Sequence, residues 1–306
     1  MTILDKIHRQ RTLLSPPLAA ALYMLAASLF FACLSALIRH LSTTLHPFEV
    51  AFFRNLFGLA FMLPWLMRSG VAGLRTGRLK LYWLRSLLGL FSMLCWFSAL
   101  ALVPFTQAVA LSFTAPLFST MGAALVLGET VRRRRWTATL VGFAGVIIIL
   151  RPGVEGLSLG QLLAVLSAAF SAVTVLMVKE LSRTEPANAV VTYMVLLTTP
   201  ISLVPALFVW QWPGWQAWPF VVGLGALGTL GHLCYTRSFA LADASAVMPY
   251  DYTRLLFVAA IAWFAFAEAP DLWTWVGAAV IVGSAIYIAR REAQLRKPAA
   301  PRAAPD

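Results

Sequence analysis

The chain has 306 residues, of which 60% are hydrophobic and 12% charged, with a mean hydropathy of +0.79. That is too apolar for a soluble globule of this length and predicts a polytopic membrane protein. A net charge of +12 would suggest nucleic acid in a soluble protein, but here the basic residues gather between apolar stretches, which excludes a nucleic-acid footprint.

Residues 1–16 read as a basic cytoplasmic segment. Ten apolar stretches follow, at about 17–38, 46–67, 80–102, 105–128, 136–151, 160–181, 187–210, 217–241, 244–268 and 271–290. Most approach the ~20 residues that cross a hydrocarbon core of about 30 Å. The first is longer than the apolar region of a signal peptide and is followed by Arg39-His40, so it is expected to remain as the first span. Cys33, Cys95 and Cys234 lie inside spans and read as packing residues. The tail, 291–306, is rich in Pro and Ala and is expected to be disordered.

Charge gives the orientation. Of the 24 lysines and arginines, Arg39 and Arg151 fall outside if the N-terminus is cytoplasmic, and Arg54, Arg85, Arg237 and Arg254 lie within spans. The remaining eighteen, including Arg132 to Arg135, fall on the cytoplasmic side, a strong positive-inside bias. The expected topology has both termini in the cytoplasm.

The second half echoes the first at an offset close to 139 positions. Cys95-Trp96 returns as Cys234-Tyr235, Phe113-Thr114 as Tyr252-Thr253, Glu129 as Glu268 and Trp136 as Trp275. The expected domains are a first repeat at 17–151 and a second at 160–290, joined through Arg151-Pro152-Gly153. Five spans per repeat is an odd number, so the second repeat enters the membrane inverted, a known construction of secondary transporters. Spans three and four, and eight and nine, are joined so briefly that each pair must form a tight hairpin. Gly223, Gly225 and Gly228 match a dinucleotide fingerprint, but no strand precedes them, and with Gly231 they read as a small-residue helix face.

Charge inside the membrane costs about 2.5–3.5 kcal/mol per group on insertion scales and needs a reason. Asp251 and Arg254, at i and i+3, share a helix face with Tyr250 and Tyr252 close by. A self-neutralising packing pair is one reading and a cavity wall the other. Their partners in the first repeat, Ser112 and Ala115, are uncharged, which favours the cavity. Glu49 and Arg54 are likewise charged in one repeat only and are assigned, with Gln107, to a gate or substrate path. Glu129 and Glu268, present in both repeats, read as scaffold that caps helices or pairs with loop cations. Arg85 and Arg237, near cytoplasmic span ends, read as interfacial anchors. His232 reads first as a hydrogen-bonded packing residue and second as a coupling group, with Asp251 and Glu49 as rival proton sites. Trp96, Ser112, Phe113 and Thr114 offer stacking faces and hydroxyls to a planar solute.

The two-repeat layout, the run Pro104 to Glu129 ending in Leu127-Gly128-Glu129, and the stretch from Trp136 closing in Leu150-Arg151-Pro152-Gly153 resemble the EamA-type permeases of the drug/metabolite transporter superfamily. Leu45 to Arg54, Ser112 to Phe118 and Pro249-Tyr250-Asp251-Tyr252 resemble the branch that includes bacterial S-adenosylmethionine uptake carriers. Asp251 stands where that branch is expected to carry a basic residue. The resemblance implies an all-α bundle in which spans one, three, four, six, eight and nine surround a cavity, five and ten are peripheral, and span two moves as part of a gate.

The expected function is therefore secondary transport of a small organic metabolite, S-adenosylmethionine-like, amino-acid-like or otherwise amphoteric or planar, across a bacterial inner membrane. A lipid flippase or scramblase is the alternative, and a membrane enzyme a weaker one. No P-loop, metal-ligand spacing or nucleophile elbow is present, so no metal, cofactor or catalytic residue is assigned. The expected partners are a small-molecule substrate, membrane lipids and, as a candidate, a second copy of the chain.

Overall fold

The computed structural model describes residues 16–70, 74–115, 117–118, 121, 133–150, 157–242, 247 and 250–295. Glu129, Pro249, Arg151 to Gly156 and the tail from 296 lie outside them. The described residues form helices and no strand. In chain order the helices are α1 (Pro16–Leu41), α2 (Pro47–Ser69), α3 (Leu79–Leu102), α4 (Phe105–Ser112), α5 (Arg133–Leu150), α6 (Leu159–Leu181), α7 (Ala187–Leu207), α8 (Trp218–Leu241), α9 (Thr253–Phe266) and α10 (Leu272–Leu295). A single 3₁₀ turn, Trp215–Ala217, leads into α8. Six of these elements (α1, α2, α3, α6, α7 and the segment Trp215–Leu241) are long and apolar enough to cross a membrane.

Local chemistry starts the helices where the sequence changes character. At α2 the Phe48 N–H donates to His46 Nδ1 (3.3 Å), the His46 N–H donates to Glu49 Oε2 (3.1 Å), and Pro47 supplies a preset φ. Ser158 and Gln161 form the equivalent reciprocal cap on α6.

Two helices are shorter than their apolar stretches. The fourth stretch was expected to run unbroken over 105–128, yet α4 ends at Ser112 and the chain turns at Phe113 and Thr114. There the Thr114 N–H reaches back only three residues, to the Leu111 carbonyl (3.1 Å). Pro116 has no N–H to give the carbonyl of Ser112, four residues back, which accounts for the break. In the second repeat Tyr252, the echo of Phe113, is likewise a turn residue immediately before α9.

The packing follows the repeat. The α1–α8 contact is the most extensive, and α3–α6, its counterpart when the halves are exchanged, comes next. α5 and α10 pack mainly on each other. Their glycines permit it: a Cβ on Gly145 would sit 2.8 Å from the Gly277 carbonyl oxygen, and one on Gly277 would sit 2.7 Å from that of Gly145. The Gly223 to Gly231 run is a close-approach face of α8. A Cβ on Gly225 would lie 2.5 Å from the Phe57 carbonyl carbon and 2.7 Å from the Gly58 nitrogen of α2.

The largest buried apolar cluster gathers the ends of α1 and α3 with the starts of α2, α4 and α8, including Leu41, Val50, Leu100, Phe105 and Val221. A smaller one joins Ala20 and Met24 of α1 to Val178 of α6 and Phe239 of α8. Dispersion and burial thus close the bundle at both ends. What lies between them is not filled.

Candidate functional site: a central cavity

Between these layers is a cavity of about 260 Å³. Against the roughly 10–15 Å³ of such space that a single water needs, this is room for an organic molecule. Residues from α1, α2, α3, α6, α7 and α8 line it, together with the turns around Phe113 and Tyr252. Among the described residues α5 and α10 contribute none, whereas α2 and α7 contribute Arg54, Asn55, Met194 and Thr198 directly.

The two helix breaks meet in this space. The Phe113 and Tyr252 rings pack edge to face at 5.2 Å, and the Arg254 guanidinium lies 5.0 Å from the centre of the Phe113 ring. Arg254 Nη2 also donates to Asp251 Oδ2 (3.1 Å), while Ser28 Oγ donates to Asp251 Oδ1 (3.0 Å). Asp251 therefore has a partner on each oxygen. On the opposite wall Ser92 of α3 bonds to Ser167 and Ser171 of α6, its Oγ lying 2.8 Å from Ser171 Oγ. The Phe31 and His232 rings meet edge on at 5.1 Å.

Of the residues expected from the sequence, Trp96, Ser112, Phe113, Asp251, Tyr252, Arg254, Arg54 and His232 line the cavity. Four stand elsewhere. Thr114 is buried, its hydroxyl donating to the Leu111 carbonyl (2.8 Å). Tyr250 is 42% exposed on the outer surface of the bundle. Gln107 donates to the Ile149 carbonyl (3.4 Å), tying α4 to α5. Glu49 accepts from the His46 N–H with one oxygen and from the Gln211 N–H (2.5 Å) with the other, so it fastens the start of α2 to the segment after α7.

Arg85 corrects the sequence reading. It does not anchor at the interface: its side chain turns inward from the second turn of α3 and is only 6% exposed. There it lines the cavity beside Met194. Arg237 is exposed and lies over the Tyr23 ring at 5.9 Å. Ser92, Ser167 and Ser171 were also missed, because small hydroxyls at helical spacing look the same whether they face a cavity or a neighbouring helix.

Each end of the bundle carries a cationic clamp. Arg39 Nη1 donates to the carbonyls of Leu100 (2.9 Å) and Val103 (2.6 Å) at the end of α3, and its Nη2 pairs with Glu268. Glu268 in turn accepts the Phe105 N–H (2.9 Å) at the start of α4, so it both pairs with a cation and caps a helix. At the other end Lys179 Nζ donates to the carbonyls of Phe239 and Ala242 (2.8 Å each), which close α8. Phe239 and Ala242 are the echoes of Leu100 and Val103 in the second repeat. Cations are favoured at these carbonyl-rich helix ends, and here each one crosses from one helix set to the other.

The comparisons with known proteins bear on what such a cavity is for. The model of the EamA-like transporter family matches residues 18–151 and again 158–290. A riboflavin transporter of Vibrio cholerae is 38% identical, over 90% of this chain and 94% of its own. An S-adenosylmethionine uptake transporter of Rickettsia bellii is 34% identical, over 82% and 86%. A solved crystal structure matches with a TM-score of 0.63 at 25% identity, over 91% of this chain and 99% of that one. The two curated relatives are transporters of small molecules and not enzymes. The chain is a multi-pass membrane protein that belongs to the EamA-like transporter family.

Proposed function

We propose that the protein is a secondary transporter of a planar small organic solute across the bacterial inner membrane, with the central cavity as its binding site. The observation that carries this reading is the meeting of two broken helices, one from each repeat, at a cavity walled by Trp96, Phe113 and Tyr252 and by charged groups. Interrupted helices near mid-membrane free backbone and side chains to bind solute, and the aromatic faces suit a flat ring system. Ten spans with both termini in the cytoplasm agree with the placement of Lys and Arg. Arg39 and Glu268 then stand at the outer face and Lys179 at the inner.

The packing supports a two-body movement. α1 packs on α8 and α9, and α6 on α3 and α4, more extensively than either set packs on the other. The Arg39–Glu268 clamp joins the two sets at one end and Lys179 joins them at the other. Releasing one clamp while holding the other opens the cavity to one side at a time, which is alternating access.

Uptake by purified protein in liposomes tests the reading, with labelled riboflavin and riboflavin 5′-phosphate as the first solutes. Saturable uptake above protein-free vesicles, lost on Trp96→Ala or Arg254→Ala while the protein stays folded, is the expected result. Uptake unaffected by either substitution would remove the cavity from the path.

A further inference from the structure

We infer that the solute is an organic anion, held through a carboxylate or phosphate by Arg54 and Arg85; this rests on the cavity being the transport site. Among the described residues the lining holds three arginines and one carboxylate. That carboxylate, Asp251, is already paired with Arg254 and bonded to Ser28. Arg54 and Arg85, 4% and 6% exposed, enter no ion pair among the described residues. Each guanidinium has five N–H donors. Arg54 gives one to its neighbour Asn55 (2.9 Å), and Arg85 gives one to the thioether of Met194 (3.2 Å), its Nε being buried without a partner.

The two arginines come from different helices and face the same cavity. The Arg54 guanidinium packs against Gly228, where a Cβ would come within 2.7 Å of Nε. Arg39 shows what a satisfied arginine looks like in this protein: two backbone carbonyls and a carboxylate. Two unneutralised cations facing one apolar-walled space are costly unless something completes them. An oxyanion does so, since carboxylate and phosphate oxygens match the planar donor fork. The excess positive charge disfavours a cationic solute.

The test uses matched pairs that differ in one anionic group: riboflavin with riboflavin 5′-phosphate, and nicotinamide with nicotinate, plus inorganic phosphate alone. Binding is read by thermal shift on purified full-length protein in a phosphate-free neutral detergent. The anionic member of at least one pair should bind about tenfold or more tightly than its neutral partner. Arg54→Gln and Arg85→Gln should each bring that preference toward parity. Arg54→Lys, which keeps the charge and loses the fork, should retain part of it.

The ligand-free melting temperature should hold or rise in both glutamine variants, because a buried unpaired charge has been removed. A fall of several degrees would assign the arginines to structure and overturn the inference. Equal or tighter binding of the neutral members, an unchanged preference in both variants, no binding by any organic member, or inorganic phosphate binding as well as the organic anions would also overturn it. Flux separates the two readings. Anion binding without transport in liposomes would sink the proposed function and leave only the anion-binding assignment of Arg54 and Arg85 standing, whereas transport of neutral solutes without anion preference would do the reverse.

Discussion

Glu49 and Asp251 are both carboxylates enclosed in an apolar body, and their surroundings give them different work. Glu49 holds two backbone N–H groups, His46 and Gln211. Asp251 faces the cavity with Arg254 and Ser28. Glu49→Gln is therefore expected to cost about 1–2 kcal/mol, as loss of a helix cap does, and to lower the melting temperature while leaving solute affinity nearly unchanged. Asp251→Asn is expected to do the opposite: to cut transport about tenfold or more at normal protein levels by releasing Arg254. Melting curves and uptake on the same preparations check both. The sequence marked these residues alike, because charge present in one repeat and absent from the other singled out each of them. It could not show where each carboxylate points, since Glu49 meets a backbone N–H 162 positions away. Arg85 was misplaced for a related reason: its depth along α3 is readable, but the side toward which it turns is set by packing.

At the scale of elements, the glycine face of α8 separates structural from functional contacts within one turn. Gly225 touches the α2 backbone, which cannot yield, whereas Gly228 touches the guanidinium of Arg54, which can. Gly225→Ala is expected to destabilise the protein by about 1–3 kcal/mol, as overpacking does. Gly228→Ala should leave the melting temperature nearly unchanged and shift solute affinity, and a ligand titration on each variant reads the difference. Helix positions were largely legible from hydropathy. α1, α3, α6 and α8 begin and end within a few residues of the apolar runs, because lipid demands continuous apolar surface on a continuous helix. The breaks at Phe113 and Tyr252 were not, because an apolar stretch reads the same whether or not its backbone hydrogen bonds are interrupted. Pro116 was the available signal, four residues beyond the last residue of α4.

Across the whole molecule, the internal repeat was the feature that the sequence displayed most openly, and the structure carries it into the contacts between helices. Arg39 and Lys179 share no residue type, but they grip echoing carbonyls at the ends of α3 and α8. Among the described residues the cavity lies between two helix sets with a clamp at either end. In the proposed cycle it is reached alternately from the two faces. The most direct test places a cysteine in the cavity wall by Ser92→Cys, in a background with the free cysteines Cys33, Cys95 and Cys234 replaced. A membrane-impermeant maleimide is then applied from each face of oriented vesicles. Labelling from both faces is expected, with Glu268→Gln raising the rate from the outer face and Lys179→Gln raising it from the inner face. Labelling confined to one face in the parent and in both variants would contradict that cycle.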